Sequence, residues 1–449
     1  MPAGHRRPWN CAVHANEAVS GWPRNATKWH ATGTVPPRGG MGLHAIGRSR
    51  GRWRRWVRFA LLQIAATLLL CEIAARLLTT TSHDNGMDMV MGYVLLPYRP
   101  AEADIRAWIR RPSGNYLVPD RELGWTVKPH GRSPDGLYES NAEGARAASD
   151  RVYGDRPPAG RIRLVTVGDS CTHGDGVSVE DTWQRDLERR RADLDVINLG
   201  VPGYGTDQAY LRWRRDGARL HPDMALLGIW PENICRNLNV VRFFLQPAGG
   251  FGFLSKPRFV VGDGDLQMVN GPVLQGPGLV QALTDPASAP LLRHEYWAIP
   301  KDIQPQPWER LRAARVAATV ASLYRRRAMR ERLYAGVDPR GIDVTVAIAD
   351  AFRRDAESAG TVPLVVIIPM VDLLARYPGD NDLPLARALQ ARSLDVIDLG
   401  PPMARTVRQR GPSCCYARDG HLSPEGNRLL AGWLLERLTP RLQQARSAD

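Results

Sequence analysis

The sequence predicts a three-layer α/β fold: a parallel sheet with helices on both faces and one long insertion between the third and fourth strands. Two observations predict it. Five short runs rich in Val, Ile and Leu recur at 162–167, 195–199, 224–228, 363–368 and 394–399, as buried parallel strands do. Stretches of helical spacing at 182–191, 207–220, 344–358 and 382–392 separate them, and alternating strand and helix is the pattern of a sheet covered on both faces. Composition narrows the choice further. A chain of 449 residues that is 43% hydrophobic and 24% charged, with 6 Cys, buries a core. It is neither a disordered polymer, nor a collagen-like repeat, nor a disulfide scaffold.

From the amino terminus, residues 1–58 read as a basic, disordered cytoplasmic tail. Residues 1–60 hold eleven Lys and Arg against a single acid, Glu17, and so carry ten of the fourteen net positive charges. The remaining body is close to neutral and lacks a nucleic-acid-binding motif, so nucleic acid is not expected as a partner. Residues 59–78 are 20 in number, 13 of them an uncharged run ending at Cys71, and they predict a single membrane anchor helix. Glu72 and Arg76 stand four apart and can pair on one face, with Arg76 reaching towards the interface. A helix lying on the membrane or on the protein, and a cleaved signal peptide, are the alternatives. The arginines from Arg48 to Arg58 precede the apolar run, which keeps the short amino terminus in the cytoplasm and places the body outside it. Met41 is an alternative start, because it opens a compact basic flank just before that run.

Residues 79–160 form a polar approach segment, expected to pack on the following domain, and include Leu123-Gly124-Trp125 and the 138–144 stretch. The main domain is expected over 161–440, with an insertion at about 234–340 and a tail at 441–449. The Gly- and Pro-rich part of the insertion, 247–290, reads as loops or hairpins. Its Arg- and Ala-rich part, 308–334, reads as a helix with a solvated face, the alternative being a face on a membrane surface. A final helix is expected over 427–438.

Candidate chemistry falls just past strand ends, where α/β sheets place ligands. The first strand run leads into Gly168-Asp169-Ser170-Cys171. There Ser170 is either a nucleophile at a helix amino end, whose backbone N–H can meet a developing oxyanion, or an N-cap serine opening that helix. The second run leads into Asn198-Leu199-Gly200-Val201-Pro202-Gly203, a turn whose N–H groups a substrate can approach closely. Glu232 and Asn233 follow the third. After the fifth come Asp419-Gly420-His421, a base with an adjacent carboxylate ahead of the final helix.

The order and spacing of these blocks resemble the SGNH (GDSL-type) hydrolase superfamily over roughly 160–440, and a membrane-anchored bacterial-type branch of it. The resemblance implies a flavodoxin-like sheet. It implies Ser170 as nucleophile, His421 as general base, Asp419 as its orienting acid, and Ser170, Gly203 and Asn233 as the oxyanion hole. Two departures stand out. The third block usually reads Gly-x-Asn-Asp, so either Asn233 or Glu232 fills the donor position, and a carboxylate there would repel an oxyanion. The last block usually holds two residues between Asp and His, where this chain has only Gly420. The function implied is a membrane-anchored, extracytoplasmic serine esterase for small, O-acetyl-type acyl esters, with carbohydrate as a carrier and no cofactor. An O-acyltransferase using the same triad, or a non-catalytic binding or assembly module, are the alternatives.

Other features are read as structural. His173 is expected as a partly exposed helix residue, and His221 and His294 as structural or surface residues. No His, Cys or acidic grouping has metal-ligand spacing, and no Gly-x-Ser-x-Gly elbow is present. Cys171, Cys235, Cys414 and Cys415 each stand beside a site block. Either Cys235 bonds Cys414 or Cys415 in an oxidising compartment, or all four are free buried thiols.

Overall fold

The structure, a computed structural model, describes residues 46–447 apart from 83–84, 112–113, 263–264 and 378–382. Of the disordered tail expected over 1–58, residues 1–45, including Met41, lie outside the described residues, and 46–58 are corrected to helix, the first part of the helix Ile46–Leu78. The five aliphatic runs form strands β1 (Ile162–Val167), β2 (Leu194–Asn198), β3 (Met224–Ile229), β4 (Val362–Ile367) and β5 (Val396–Asp398). They pair in parallel in the order β2-β1-β3-β4-β5. This is the flavodoxin-like order, whose winding reverses between β1 and β3. Every residue of β1, β2 and β3 is buried, as strands covered on both faces must be. Arg163 at the start of β1 is the one cation among them. It pairs with Asp195, its register partner on β2, at 2.8 Å and donates to the carbonyls of Gly154, Leu220 and Arg156.

Eight of the helices matter here: α1 (Ile46–Leu78), α2 (Trp183–Arg190), α3 (Thr206–Arg212), α4 (Arg312–Tyr334), α5 (Arg340–Ser358), α6 (Pro384–Gln390), α7 (Gly400–Arg410) and α8 (Pro424–Ser447). α2 and α8 pack together on one face of the sheet, and α5 packs between α3 and α6 on the other. The expected single helix over 207–220 is instead α3 followed by a π-helical turn (Trp213–Gly217) and a tighter turn (Ala218–Leu220). Trp213 is fully buried there, edge-on to Phe352 of α5. α7 has no counterpart among the expected helices, and α8 runs on through the stretch read as a carboxyl-terminal tail.

The approach segment contributes a hairpin, Leu117–Asp120 with Gly124–Val127. The insertion contributes another, Arg258–Gly262 with Asp265–Val269, then a helix, Gly276–Thr284, and α4. α4 carries a solvated face, with Val320, Tyr324, Arg327 and Glu331 exposed, and on its other side Thr319, Ser322, Arg326, Leu333 and Tyr334 are buried. Arg326 survives burial because it is saturated with acceptors: Asp302 at 3.0 Å and the carbonyls of Phe244 and Trp297.

α1 is joined to the body at its carboxyl end. Glu72 pairs with Arg76 at 2.7 Å and also accepts the N–H groups of Arg312 and Ala313 at 3.1 and 2.9 Å, satisfying donors that the first turn of α4 leaves free. Upstream, Leu61, Leu62, Ile64 and Leu68 to Leu70 are exposed. The part Arg52–Leu78 is long and apolar enough to cross a membrane; its 27 residues span about 40 Å as a helix.

The insertion is fastened to the sheet by a buried ion pair. Lys256 and Asp207 of α3 are both inaccessible to solvent, and Lys256 Nζ contacts the Asp207 carboxylate and the carbonyls of Asn239 and Pro257. Lys256→Met strands an uncompensated carboxylate in the interior and is expected to destabilise the protein by about 3–5 kcal/mol, whereas Lys256→Met with Asp207→Asn recovers much of that loss. Urea unfolding of the two variants checks this; equal destabilisation by both rejects the pairing as the cause.

Candidate active site

The turn after β1 is set by Asp169. It is the N-cap of the single helical turn Ser170–His173, and its Oδ1 accepts the Cys171 N–H at 3.0 Å. The capping role left open for Ser170 therefore belongs to Asp169, and Ser170 is the first helical residue. The other carboxylate oxygen, Oδ2, accepts from Asn233 Nδ2 at 3.0 Å and from Arg236 Nη1 at 3.1 Å. Carbonyls of the same turn are held from below by Gln184 of α2 and Asn198 of β2, both donating to Thr172 O. Trp183 closes the floor, its ring N–H on Cys171 O at 3.2 Å.

His421 reaches this turn from the loop before α8. Its Nε2 stands 2.9 Å from Ser170 Oγ across 251 residues of sequence, and both side chains are buried. The imidazole lies nearly parallel to the Trp230 ring, 22° between planes with centroids 6.1 Å apart. Asp419 sits on the far side of the imidazole: its Oδ1 accepts the His421 backbone N–H and its Oδ2 lies 3.1 Å from Nδ1. The one-residue spacing works because Gly420 adopts φ +85°, which folds the carboxylate back on the ring. That tight return bends the approach away from the N–H axis, so Asp419 makes a charge contact with Nδ1 rather than an aligned hydrogen bond. Burial opposes a charge on His421, but Asp419, Asp175 and Asp169 together outweigh it and hold the imidazole above its ordinary value of 6.5.

Backbone donors for an oxyanion are present. Val201 N–H donates to Gly168 O at 3.1 Å, which brings the β2 loop over the serine turn. Neither Ser170 N–H nor Gly203 N–H has an acceptor among the described residues. Gly203 has φ +79°, and a Cβ there would stand 2.4 Å from the ring of Phe251, so the insertion places an aromatic wall against this loop. Asn233 is differently employed. Its amide donates to Asp169 Oδ2 and to Tyr204 O at 3.1 Å, while its Oδ1 accepts Trp230 N–H at 2.9 Å. It stitches the ends of β1, β2 and β3 together, with both amide hydrogens directed at protein acceptors.

Glu232 does not face the serine turn as an oxyanion donor would. It is buried against Arg236 at 2.5 Å and Arg330 of α4 at 3.4 Å. Burial pushes its carboxyl up, but Arg236, Arg330 and Arg242 overcome this and hold it at about 2. Arg236 thus bridges Asp169 and Glu232, with its guanidinium over the Trp230 ring. Sequence reasoning missed it; the signal was its spacing of four from Glu232 on the block after β3.

His173 corrects another expectation. It is wholly buried rather than partly exposed, with Tyr116 Oη 2.5 Å from Nε2 and Asp175 Oδ1 2.5 Å from Nδ1. Tyr116 and Tyr138 of the approach segment meet its ring edge-on. Burial lowers the His173 pKa against the pull of Asp175, so the neutral ring accepts from Tyr116 and donates to Asp175. The other two histidines stay close to their expected roles: His221 makes a left-handed turn (φ +44°) before β3, and His294 accepts from Arg293.

The disulfide considered for Cys235 is corrected as well. Cys171, Cys235, Cys414 and Cys415 are free thiols. Cys235 is buried beside the Tyr334 hydroxyl, and Cys414 Sγ meets Cys415 Sγ at 2.8 Å. Among the described residues, no three His, Cys, Asp or Glu side chains are grouped to hold a metal ion.

No protein-family model and no curated protein matches the chain. Solved structures similar to it include the lipase/acylhydrolase from Enterococcus faecalis, at 13% identity, covering 62% of this chain and 96% of that one with a TM-score of 0.32. A member of the lipolytic protein G-D-S-L family from Veillonella parvula DSM 2008 is 10% identical, with 62% and 98% covered and a TM-score of 0.31. A catalytic mutant of an acetylxylan esterase from Geobacillus stearothermophilus is 11% identical, with 61% and 93% covered and a TM-score of 0.32.

The Tyr116–His173–Asp175 chain makes a stability prediction. Tyr116→Phe leaves a buried ring nitrogen without its donor and is expected to cost about 1–3 kcal/mol. Because the native state refuses a proton on His173 that the unfolded chain accepts, stability is full above about 6.5, the ordinary histidine value, and is lost as pH falls towards the lowered native one. His173→Phe should remove that part of the slope; denaturant unfolding from pH 5 to 8 reads it, and an undiminished slope assigns it elsewhere.

Proposed function

We propose that the chain is a serine ester hydrolase acting on small, O-acetyl-type acyl esters. The observation that carries this reading is the 2.9 Å contact between His421 Nε2 and Ser170 Oγ at the carboxyl end of β1. In the reaction, neutral His421 takes the Ser170 proton while Oγ bonds to the ester carbonyl carbon. The carbonyl oxygen becomes an oxyanion, held by the N–H groups of Ser170 and Gly203. The carbonyl re-forms as the alcohol leaves with the proton from His421, and water, deprotonated by the same imidazole, releases the acid and restores Ser170. The charge that forms on His421 is balanced by Asp419 on one side and by the Asp175 and Asp169 carboxylates nearby. Asn233 serves the hole by fixing Asp169 and the Tyr204 carbonyl, and becomes a direct donor only if one of those bonds opens. The engagement of Glu232 by Arg236 and Arg330 weighs against a non-catalytic module, whose support lay in a carboxylate at the donor position.

The anchor reading belongs to the same proposal. α1 crosses the membrane with its arginines, Arg52 to Arg58, on the cytoplasmic side, which leaves the catalytic body extracytoplasmic and close to the bilayer surface. Envelope carbohydrate is then the nearest abundant carrier of O-acetyl esters, in keeping with the family resemblance of the Ser170 and His421 blocks.

Two measurements test the chemistry, both on the full chain in detergent with p-nitrophenyl acetate. Ser170→Ala is expected to lower kcat/KM by about a thousandfold or more; equal rates for the two proteins end the hydrolase reading. The acid limb of kcat/KM for the wild type should lie above 6.5, since His421 must be neutral to act and its carboxylate neighbours favour the charged ring. Asp419→Asn should move that limb to lower pH while reducing kcat; a limb that stays put shows that Asp419 does not act on this imidazole.

A further inference from the structure

The strap that carries His421 is closed at its base by two adjacent cysteines. Tyr416 bridges to Leu422, and Ala417 N–H donates to His421 O at 2.8 Å, so 416–422 form a narrow loop with His421 on its returning limb. Below it, Cys415 O accepts Ser423 N–H at 2.9 Å and Cys414 O accepts Ser423 Oγ at 3.3 Å. The Cys415 N–H donates to Pro412 O at 3.1 Å. A Cβ on Gly426 would stand 2.0 Å from Cys415 O, so the first turn of α8 rests directly on this peptide. The two thiols face each other, Sγ to Sγ 2.8 Å, with Cys415 buried and Cys414 partly accessible. No role in the proposed ester chemistry uses either one, and Cys235, the other partner considered, is a separate free buried thiol.

We propose that Cys414 and Cys415 form a redox-modification site, closing to a vicinal disulfide by exchange with a disulfide-bearing oxidant and so altering how the strap holds His421. The Cys414 thiolate attacks one sulfur of the oxidant's disulfide, forming a mixed disulfide and expelling the other sulfur as a thiolate. Cys415, giving up its proton, then attacks Cys414 Sγ and expels the second sulfur. Two cysteine thiols lose two electrons and two protons; one disulfide gains them and becomes two thiols. The order follows from the surroundings. Cys414 is partly accessible, so the incoming disulfide meets it first, whereas the buried Cys415 is reached only from Cys414 Sγ, 2.8 Å away.

Closure is coupled to the strap by covalent geometry. Adjacent Cα atoms lie about 3.8 Å apart across a trans peptide, whereas disulfides usually span about 4.4–6.8 Å. A ring closed across that fixed spacing is strained, and the strain falls on the 414–415 peptide, which carries both the Cys414 carbonyl bonded to Ser423 and the Cys415 N–H bonded to Pro412. A bond strained in this way is easily reduced again, as befits a reversible device.

The chemistry of the pair stands without the esterase reading, and only its effect on turnover rests on that reading. The test equilibrates the full chain in detergent with mixtures of reduced and oxidised glutathione, quenches with iodoacetamide, and maps the peptide holding both cysteines. Expected on oxidation is an unalkylated peptide lighter by two hydrogens, with faster amide exchange over 412–423, both reversed by dithiothreitol and absent in Cys414→Ser. Both thiols alkylated in every mixture, a glutathione adduct persisting on Cys414, or a bond from either cysteine to Cys171 or Cys235 would each overturn the site. With p-nitrophenyl acetate, closure should change kcat by about tenfold, the scale on which sub-ångström misplacement of a base is felt. Closure with an unchanged kcat overturns the coupling to His421. Closure with no esterase activity in either redox state counts against the hydrolase proposal and leaves the pair, read by mass and exchange, intact.

Discussion

A buried carboxylate at the end of β1 fixes the position of everything around it. Asp169 caps the helical turn that begins with Ser170, and with its second oxygen it gathers Asn233 and Arg236 from the block after β3. A charge in that place is tolerable only because each oxygen is satisfied, two of its three partners from a different part of the chain. The same atoms then serve the site twice. They position the serine, and they hold in place the Tyr204 carbonyl and the loop from which the Gly203 N–H is presented.

Arg236 extends this arrangement outward. Its guanidinium joins Asp169 to Glu232, and Glu232 in turn engages Arg330 of α4. α4 is the helix whose amino end is capped by Glu72 of α1. Charge-assisted contacts at the two ends of α4 therefore connect the serine turn, through this helix of the insertion, to the segment able to cross a membrane. The insertion is part of the site's support as well as its wall: it supplies Arg330 behind the third block and Phe251 over Gly203.

How much of this was legible in the sequence varied with the range of the interaction. Strands and their order of use follow from local composition, since a run such as Leu226-Leu227 has nowhere stable to go except the interior. Ser170 and His421 could be singled out because each stands just past a strand or just before a helix, in blocks with recognisable turns. Asp419 was legible as a neighbour but not in its geometry, which depends on the left-handed turn at Gly420. His173 misled because a histidine on a short helix says nothing about the tyrosines, 57 and 35 positions earlier, that close over it. Arg236 was not singled out and Arg330 fell in a stretch read as a solvated face, since burial of an arginine is decided by acceptors that arrive from elsewhere. The cysteines were legible as standing beside the site blocks, while their neighbours were not: the free thiol of Cys414 stands against that of Cys415 rather than against Cys235.

The sequence by itself determined the class of fold, the five strands and the residue types available at their ends, because hydrophobic period and turn chemistry act over a few residues. Only the tertiary structure decided which nitrogen meets which oxygen: that His421 lies within hydrogen-bonding distance of Ser170, that Asn233 binds Asp169, and that Glu232 turns to arginine. Those outcomes depend on distances between residues tens to hundreds of positions apart. Such distances are set by how layers pack and how buried charges find partners, and no local pattern along the chain encodes them.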